Sequence, residues 1–573
     1  MTLCLPSTSF VPVVTQRLRA PQVIWTMGGS FNSTWAVDNA FCIRQISEPR
    51  DAYLVEERIQ QADRYGGHGV GYGGGSGRCA TFGIVQVKGV GRTPLVTRRH
   101  DIFHENGLIW MREAAYEVIW SQIFAVILPY GVVPHLAIIA AGDGTSPQVG
   151  EVRWKRTLLM REFTLRSAHF MRNTNFDNNV GSDGLCLDAS RARTAIRAIH
   201  LGFEHVFGKQ VAGTDCIAQV NLGLRIMAKR FAAQVAASFA KRLFHGALSC
   251  SNIALDGRFM DFGVATYVAS YRRRAKQIGS ADQWTQDRRL LRTLHLLQFH
   301  IKKYFPDNAK RLLSEAELTA EFEIALAGSM ELEMLKMTGV PQDFASNYPP
   351  IERQRLFKCM RDIYSRDADE VFLKHAGSLE TVGSNPPPDK YGRYDLNAIL
   401  ALASTCSNAD ELAQTLGESL GEAKLRQEFV ACYAAFVDAF VYSFDADSRH
   451  VARVYVAMQA NRLNADLSFL KREILLREKL ALLDKEPGVF EANLGGLSDF
   501  ILATVQRGKY FLQQDHPDLS GEDALQQVAT LQGLGTQLPD FVMNCLTTAA
   551  ASPAAKAGMN KLLSGGCTPC AIQ

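Results

Sequence analysis

The stretch His245-Gly-Ala-Leu-Ser-Cys-Ser-Asn252 is followed, past a tight turn at Asp256-Gly257, by Asp261-Phe262-Gly263. Asn252 and Asp261 each lie beside a short apolar, strand-like run. Together they offer the oxygen donors that Mg²⁺ favours when its remaining positions go to water and phosphate. The chemistry to expect of such a pair is transfer of a phosphoryl or nucleotidyl group. That chemistry depends more on positioning and charge neutralisation than on covalent help from the protein. The element that must deliver these residues is a helix over residues 221–244, whose Leu224, Met227, Phe231, Val235 and Phe239 recur at helical spacing among Lys and Arg.

Protein kinases combine the same parts, with the Asn in a catalytic loop H-R-D-x-x-x-x-N and the Asp in D-F-G. Here His245 and Asn252 keep the seven-residue offset, and Ala247 stands where the kinase base would be.

Upstream lies a glycine run, Tyr65-Gly-Gly-His-Gly-Val-Gly-Tyr-Gly-Gly-Gly-Ser-Gly77-Arg78. Its Gly75 and Gly77 could let the backbone approach a phosphate, with Arg78 as counter-charge; a flexible linker has the same composition. A strand over residues 81–88 ends on Lys88, a point charge for phosphates, and runs into Gly89-Val-Gly-Arg-Thr-Pro94. A helix starting near Asn106-Gly107 carries Arg112 and Glu117; Glu117 is a candidate ion-pair partner for Lys88 or an ordinary solvated residue. Another strand, Trp154 to Met160, leads to Arg161 and Arg166, which suit bidentate binding of phosphate or carboxylate and equally suit a plain surface.

The bulk numbers set limits. A chain of 573 residues is long for one core and implies two or three packed units. Its net charge of +4 gives no case for nucleic-acid binding. The 12 cysteines lack paired spacing apart from Cys567-Thr-Pro-Cys570, which suggests reduced thiols and a cytoplasmic setting. The C-x-x-C itself reads as a local disulfide, as a metal-binding pair that lacks a second Cys pair nearby to complete a zinc site, or as two inert tail thiols. Pro6 and Pro12 make the N-terminus a poor secretory signal, while Arg17 and Arg19 ahead of the first acid, Asp38, leave an organelle transit peptide open. The segment Val118 to Ala141 carries no charge and could span a bilayer. Pro129-Tyr-Gly131 and Pro134 interrupt it, so a buried helix followed by a strand over 132–140 is the better reading. Residues 1–60 hold no usable motif. Helical patterns dominate from about residue 284 to 546, broken at Pro349-Pro350 and Asn385-Pro-Pro-Pro388, and the last twenty or so residues resemble a mobile tail.

Taken together, several stretches resemble the selenoprotein O family of kinase-like protein adenylyltransferases. Tyr65-Gly-Gly-His-Gly-Val-Gly71 with Gly75-Ser-Gly77-Arg78 is similar to its YAGHQFG…GDGR. Val85-Gln-Val-Lys-Gly-Val-Gly-Arg-Thr-Pro94 is similar to LQLKGAGRTP. Asn106-Gly107, Met111-Arg112 and Glu117 fit its Asp-Gly and LRSSIREF helix, and Arg161 and Arg166 resemble its paired arginines. His245 to Asn252 resembles HGVMNTDN, and Met260 to Gly263 resembles FDYG, with Asn252 and Asp261 nine apart as in that family's short hairpin. The likeness covers about residues 60 to 265. Within it, Ser251 stands at the family's catalytic-loop acid and Ser76 at the Asp of GDGR.

The resemblance implies an α+β, two-lobed kinase-like fold: an N-terminal segment (1–60), a small β-rich lobe (61–170), a helical lobe with the catalytic loop (171–300), a helical extension (301–550) and a tail (551–573). It implies ATP bound inverted relative to kinases, so that AMP passes to a Ser, Thr or Tyr hydroxyl of a protein or peptide, without nucleic acid or membrane. Lys88 with Glu117, the glycines Gly75, Gly77 and Gly107, Asn106, and Arg78, Arg161 and Arg166 would bind ATP. Asn252 and Asp261 would hold Mg²⁺ (or Mn²⁺), with Ser251 beside them in the catalytic position. Two alternatives stay open: an ATP-dependent maturation enzyme for a peptide or natural product, and a nucleotide-binding pseudoenzyme. That family often carries a redox residue near its C-terminus, so Cys567 and Cys570 could form a redox clasp.

Overall fold

The computed structural model describes residues 5–46, 48–67, 73–96, 106–142, 148–149, 152–153, 156–173, 181–211, 215–267, 271, 286–366, 395–417, 419–446, 449–465, 467 and 489–512. The Pro386–Pro388 break, the tail with Cys567 and Cys570, and the middle of the glycine run lie outside these residues.

The chain is a mixed α+β protein built on one large antiparallel sheet. Its strands are β1 (Phe10–Leu18), β2 (Gln22–Thr26), β3 (Phe41–Cys42), β4 (Tyr53–Asp63), β5 (Cys79–Phe82), β6 (Val85–Lys88), β7 (Ile109–Trp110), β8 (His135–Ala140) and, after a small hairpin of β9 (Gln148–Val149) and β10 (Val152–Arg153), β11 (Arg156–Glu162). The order across the sheet is β2-β8-β11-β6-β5-β4-β1-β3, with β7 paired to β11. Residues 1–60, where the sequence offers no motif, thus supply three strands and most of a fourth, β4, which ends at Asp63. A short helix α1 (Ser33–Asp38), capped by the Asn32 side chain, links β2 to β3.

The strand expected over 81–88 is two strands. Gly83 takes φ +54° and reverses the chain, so that Phe82 faces Val85 and Cys79 faces Lys88. A two-residue hairpin loop needs a positive φ, which glycine adopts without strain. The strand expected over 132–140 starts at His135; Val132 instead bridges Phe259, and Val133 N donates to Phe259 O. Trp154 lies outside the described residues, and the strand it was expected to open runs from Arg156 through Arg161 to Glu162.

Helix α2 (Met111–Ile127) starts after the Asn106-Gly107 turn and is buried along most of its length, which suits its nearly uniform apolar sequence. It ends before Pro129, Gly131 turns the chain at φ +64°, and β8 returns through the sheet. No described helix is long and apolar enough to cross a membrane.

The helices continue with α3 (Gly181–Arg197), α4 (Ile199–Phe207) and α5 (Cys216–Ala240). Asp215 caps α5 by accepting from Ile217 N and Ala218 N. Gly223 admits the Phe203 ring, where a Cβ would sit 2.3 Å from it. The helix expected to reach residue 244 stops at Ala240, because Arg242 at φ +58° turns the chain into β12 (Leu243–Phe244), which pairs with β13 (Thr266–Tyr267). Beyond it come α6 (Gln286–Tyr304), α7 (Glu315–Lys336), α8 (Gln342–Asn347), α9 (Pro350–Arg366), α10 (Leu396–Ala403), α11 (Ala409–Thr415), α12 (Ala423–Tyr442), α13 (Arg449–Asn464) and α14 (Val489–Leu512).

One core joins α2, α5 and α6 to the sheet, with Ile501 and Val505 of α14 closing it; a second, helical core gathers Met334, Phe429 and Phe436. Gly508 lets α14 approach Ile123 of α2.

Candidate active site

Lys88 ends β6, in the middle of the sheet, and is buried. Its Nζ donates to Glu117 Oε2 at 2.6 Å and to Asp261 Oδ1 at 2.7 Å. Glu117 comes from the second turn of α2 and is fully buried. Its other oxygen lies 3.3 Å from both Arg161 Nη1 and His135 Nε2. Burial would push the Lys88 ammonium down, but Asp261 and Glu117 override it and hold it above its ordinary value. Burial would push both carboxyls up, and Lys88 overrides it to keep both well below the ordinary carboxylate range. The centre is therefore ionised, Lys⁺ between two carboxylates. Burial holds His135 down, so it is neutral and donates its Nε2–H to Glu117.

A second buried layer lies behind Lys88. Gln86 shares a strand face with Lys88 by the two-residue period. Its amide oxygen accepts from Arg161 Nε at 2.9 Å and from an Arg166 Nη at 2.7 Å, while its nitrogen donates to Asp63 Oδ1 at 3.1 Å. Asp63, at the end of β4, also accepts from Ser76 Oγ at 2.7 Å and pairs with His169 Nε2 at 3.0 Å. The other His169 nitrogen accepts from Arg166 N, which fixes the proton on Nε2 of a neutral ring. Burial would push Asp63 up; His169, Arg166 and Ser76 outweigh it and keep the carboxyl below its ordinary range.

The stretch His245–Asn252 leads into a hairpin that runs from Asn252 to Met260. Met260 N donates to Asn252 O, Ile253 bridges Phe259, and Gly257 turns the chain at φ +95°. Leu255 N donates to Leu165 O, and Arg166 bridges Ala254, which places the hairpin beside the end of β11. Asn252 Nδ2 donates to Ala247 O at 2.9 Å. Ser251 Oγ lies 2.9 Å from Ser249 Oγ and 3.3 Å from Asn252 Oδ1, and its carbonyl accepts from Arg166. His245 is buried and neutral: its Nε2–H donates to Met260 O at 2.8 Å, and Nδ1 accepts from Ala247 N. It thereby fixes the backbone beside Asp261, which adopts φ +69°. Phe262 lies between α2 and the loop, its ring 5.0 Å from both Phe124 and His245. Tyr116 OH, next to Glu117, donates to Ala265 O.

Arg78 forms a fork with Glu113 of α2 (Nη2 to Oε1 2.8 Å, Nη1 to Oε2 3.4 Å) and also donates to Leu108 O.

The structure thus brings Lys88, Glu117, Asp261, Arg78, Arg161 and Arg166 into one charged centre, with Ser251 and Asn252 at the start of the adjoining hairpin. The glycines have protein neighbours. A Cβ on Gly75 would meet Asp63 O at 2.4 Å, one on Gly77 would meet Val96, and one on Gly107, at φ +77°, would meet Arg92 N at 2.2 Å. The run Lys88–Pro94 clasps this loop: Gly89 N and Val90 N donate to Arg78 O, Thr93 N to Gly77 O and Thr93 Oγ1 to Ser76 O. Asn106 Oδ1 accepts from Leu108 N, an Asx turn at the start of β7.

Asp63, Gln86, Glu113, His135 and His169 were not anticipated from sequence. Gln86 had a signal, its alternation with Lys88; Glu113 had one too, one helical turn before Glu117. The two histidines and Asp63 had none, because their partners arrive from distant strands.

Among the described residues, no three His, Cys, Asp or Glu side chains converge as a metal cage. An Asp–Asn pair of oxygen donors fits an ion shared with a polyphosphate.

Fold and site define a mixed α+β protein with a buried Lys–Glu–Asp centre beside an Asn-bearing hairpin. No protein-family profile and no curated protein matches the chain.

Proposed function

We propose that the chain is a kinase-like, Mg²⁺- and ATP-dependent nucleotidyltransferase that moves AMP onto a protein or peptide hydroxyl, as its resemblance to selenoprotein O implies. The observation that carries this reading is Lys88, held between Glu117 and Asp261 with Asn252 on the hairpin that ends at Asp261. A structural ion pair needs one carboxylate; here a second, partly exposed one sits on the same ammonium.

Asp261 and Asn252 would hold Mg²⁺, which neutralises polyphosphate charge when bound. Glu117 orients Lys88, and Arg161 and His135 orient Glu117. Gln86 fixes Arg161 and Arg166, so their charges raise the potential of the site from behind it. The Phe262 ring, packed against Phe124 and His245, holds the Asp261 backbone in place. Ser251 cannot act as a carboxylate base, so transfer should run about 10²–10⁴-fold below that of an enzyme with an acid there.

A second reading, a nucleotide-binding protein without turnover, is favoured by one observation. Arg78, Lys88, Arg161 and Arg166 each already face a protein carboxylate.

Intact-mass analysis after incubation with Mg²⁺ and ATP separates the readings. Addition of AMP to the chain or an added protein supports transfer, addition of phosphate favours a kinase, and ATP-dependent thermal stabilisation without any adduct favours the second reading.

A further inference from the structure

Among the described residues, the site's cations Arg78, Lys88, Arg161 and Arg166 each face one of four carboxylates, Asp63, Glu113, Glu117 and Asp261, so an anionic ligand must compete with a carboxylate for any of them. Asp63 and Glu117 have fully buried side chains (0% exposed) and several partners each, and leaving would strand them. Glu113 and Asp261 are different, with side chains 25% and 31% exposed. Asp261 has a destination in the reading above, the metal. Glu113 has none. It lies in the first turn of α2, where the helix dipole favours a carboxylate facing solvent as well as one facing Arg78. Its Oε1 is 2.8 Å from Arg78 Nη2 and 3.8 Å from Lys88 Nζ, so one carboxylate covers both cations. Arg78 would not lose its place when Glu113 leaves, because Leu108 O still accepts from Nη1 at 3.2 Å.

We propose that Glu113 is an internal counter-ion that occupies the Arg78 fork until a polyphosphate displaces it, and so sets how tightly the site takes a nucleotide. A guanidinium fork binds carboxylate and phosphate with the same geometry. The bound carboxylate therefore competes directly with the polyphosphate of a nucleoside triphosphate. The inference rests on the nucleotide reading of the site.

The test is titration calorimetry of the full chain with Mg²⁺–ATP and, separately, with inorganic triphosphate. The variants are Glu113→Gln, Arg78→Ala and their combination, each with its melting temperature recorded; Glu113→Ala serves if the Gln variant does not fold. Glu113→Gln should tighten both ligands about tenfold, the scale of one charge-assisted hydrogen-bond pair. In the Arg78→Ala background the gain should fall to a small remainder, the share of the longer Lys88 contact, because the fork being competed for is gone. Unchanged or weaker binding by Glu113→Gln overturns the proposal, as does an equal gain without Arg78, which would indicate a general change in potential. Triphosphate binding that follows this pattern without ATP binding upholds the counter-ion and refutes the nucleotide reading. Failure of every variant to bind either ligand refutes both.

Discussion

Lys88 Nζ and Asp261 Oδ1 lie 2.7 Å apart, joining positions 173 residues apart in the chain. The contact ties the main sheet to the hairpin that follows α5, while Glu117 ties the same ammonium to α2. Three elements converge on one charge, and the two carboxylates are unequal. Glu117 is fully buried, whereas Asp261 reaches solvent.

That inequality predicts different outcomes for two substitutions. Lys88→Met leaves Glu117 buried without its closest partner and should cost about 3–5 kcal/mol of stability. Asp261→Asn removes a carboxylate that solvent partly reaches, so its melting temperature should stay near that of the parent chain. Both should abolish transfer. Denaturant titration alongside the activity assay checks the contrast; equal stability losses would mean that Glu117 is satisfied by Arg161 and His135 alone.

Gly107→Ala tests the clasp around the glycine run. At φ +77° the new Cβ would fall 2.2 Å from the Arg92 nitrogen. Left-handed strain and the backbone clash together should cost more than about 2 kcal/mol. A shift within about 0.5 kcal/mol in a urea titration would show that the 91–107 contact relaxes freely.

Asp63 makes the acid limb of stability specific. Its folded pKa lies below the unfolded one, because His169, Arg166 and Ser76 outweigh the burial that pushes it up. Its stabilisation is therefore complete above the unfolded carboxylate range, near pH 4, and is lost as pH falls through the folded value. Asp63→Asn should flatten the stability profile below about pH 4. An unchanged acid slope would place the titrating group elsewhere.

Lys241 acts in the opposite direction. Burial pushes its ammonium down to about 7, and its Nζ lies 3.6 Å from the Met337 sulfur. The unfolded chain keeps the proton up to about pH 10.4. Between these values the unfolded state binds more protons, so stability should rise with pH and level off above the window. Lys241→Met should remove that rise and stabilise the chain at neutral pH, on the order of a few kcal/mol. A variant no more stable at pH 7, or one that keeps the slope, contradicts this. Denaturant titrations at pH 7 and 9.5 suffice.

The sequence made the charged centre legible because its residues lie on regular elements next to recognisable turns. Lys88 ends an alternating strand, Glu117 rides a uniformly apolar helix, and Asp261 follows a glycine turn. The supporting layer was hidden for a physical reason. Asp63, His135 and His169 take their roles from partners on distant strands and helices, and no local period records such pairing; Gln86 shares the two-residue period of Lys88, but its partners are equally distant. The first sixty residues were opaque for a related reason: β1, one strand in from the edge, has half-exposed positions, and β3 at that edge holds only two residues. The hairpin at Gly83 is hard to read because Ile84 puts an apolar residue inside the two-residue turn, so only a shift of phase between Ile84 and Val85 marks it. The glycines near Arg78 showed the other failing of pattern, since space for a neighbouring backbone and space for a phosphate call for the same residue.

The most direct measurement is transfer from ATP labelled at the α-phosphate, compared with γ-label, to the chain itself and to a mixed protein acceptor in the presence of Mg²⁺. The parent chain should transfer the α-label, and Asp261→Ala, though folded, should transfer none. Transfer of γ-label alone, or α-label transfer that survives Asp261→Ala, would contradict the assignment of AMP transfer to the Lys88–Asp261 centre.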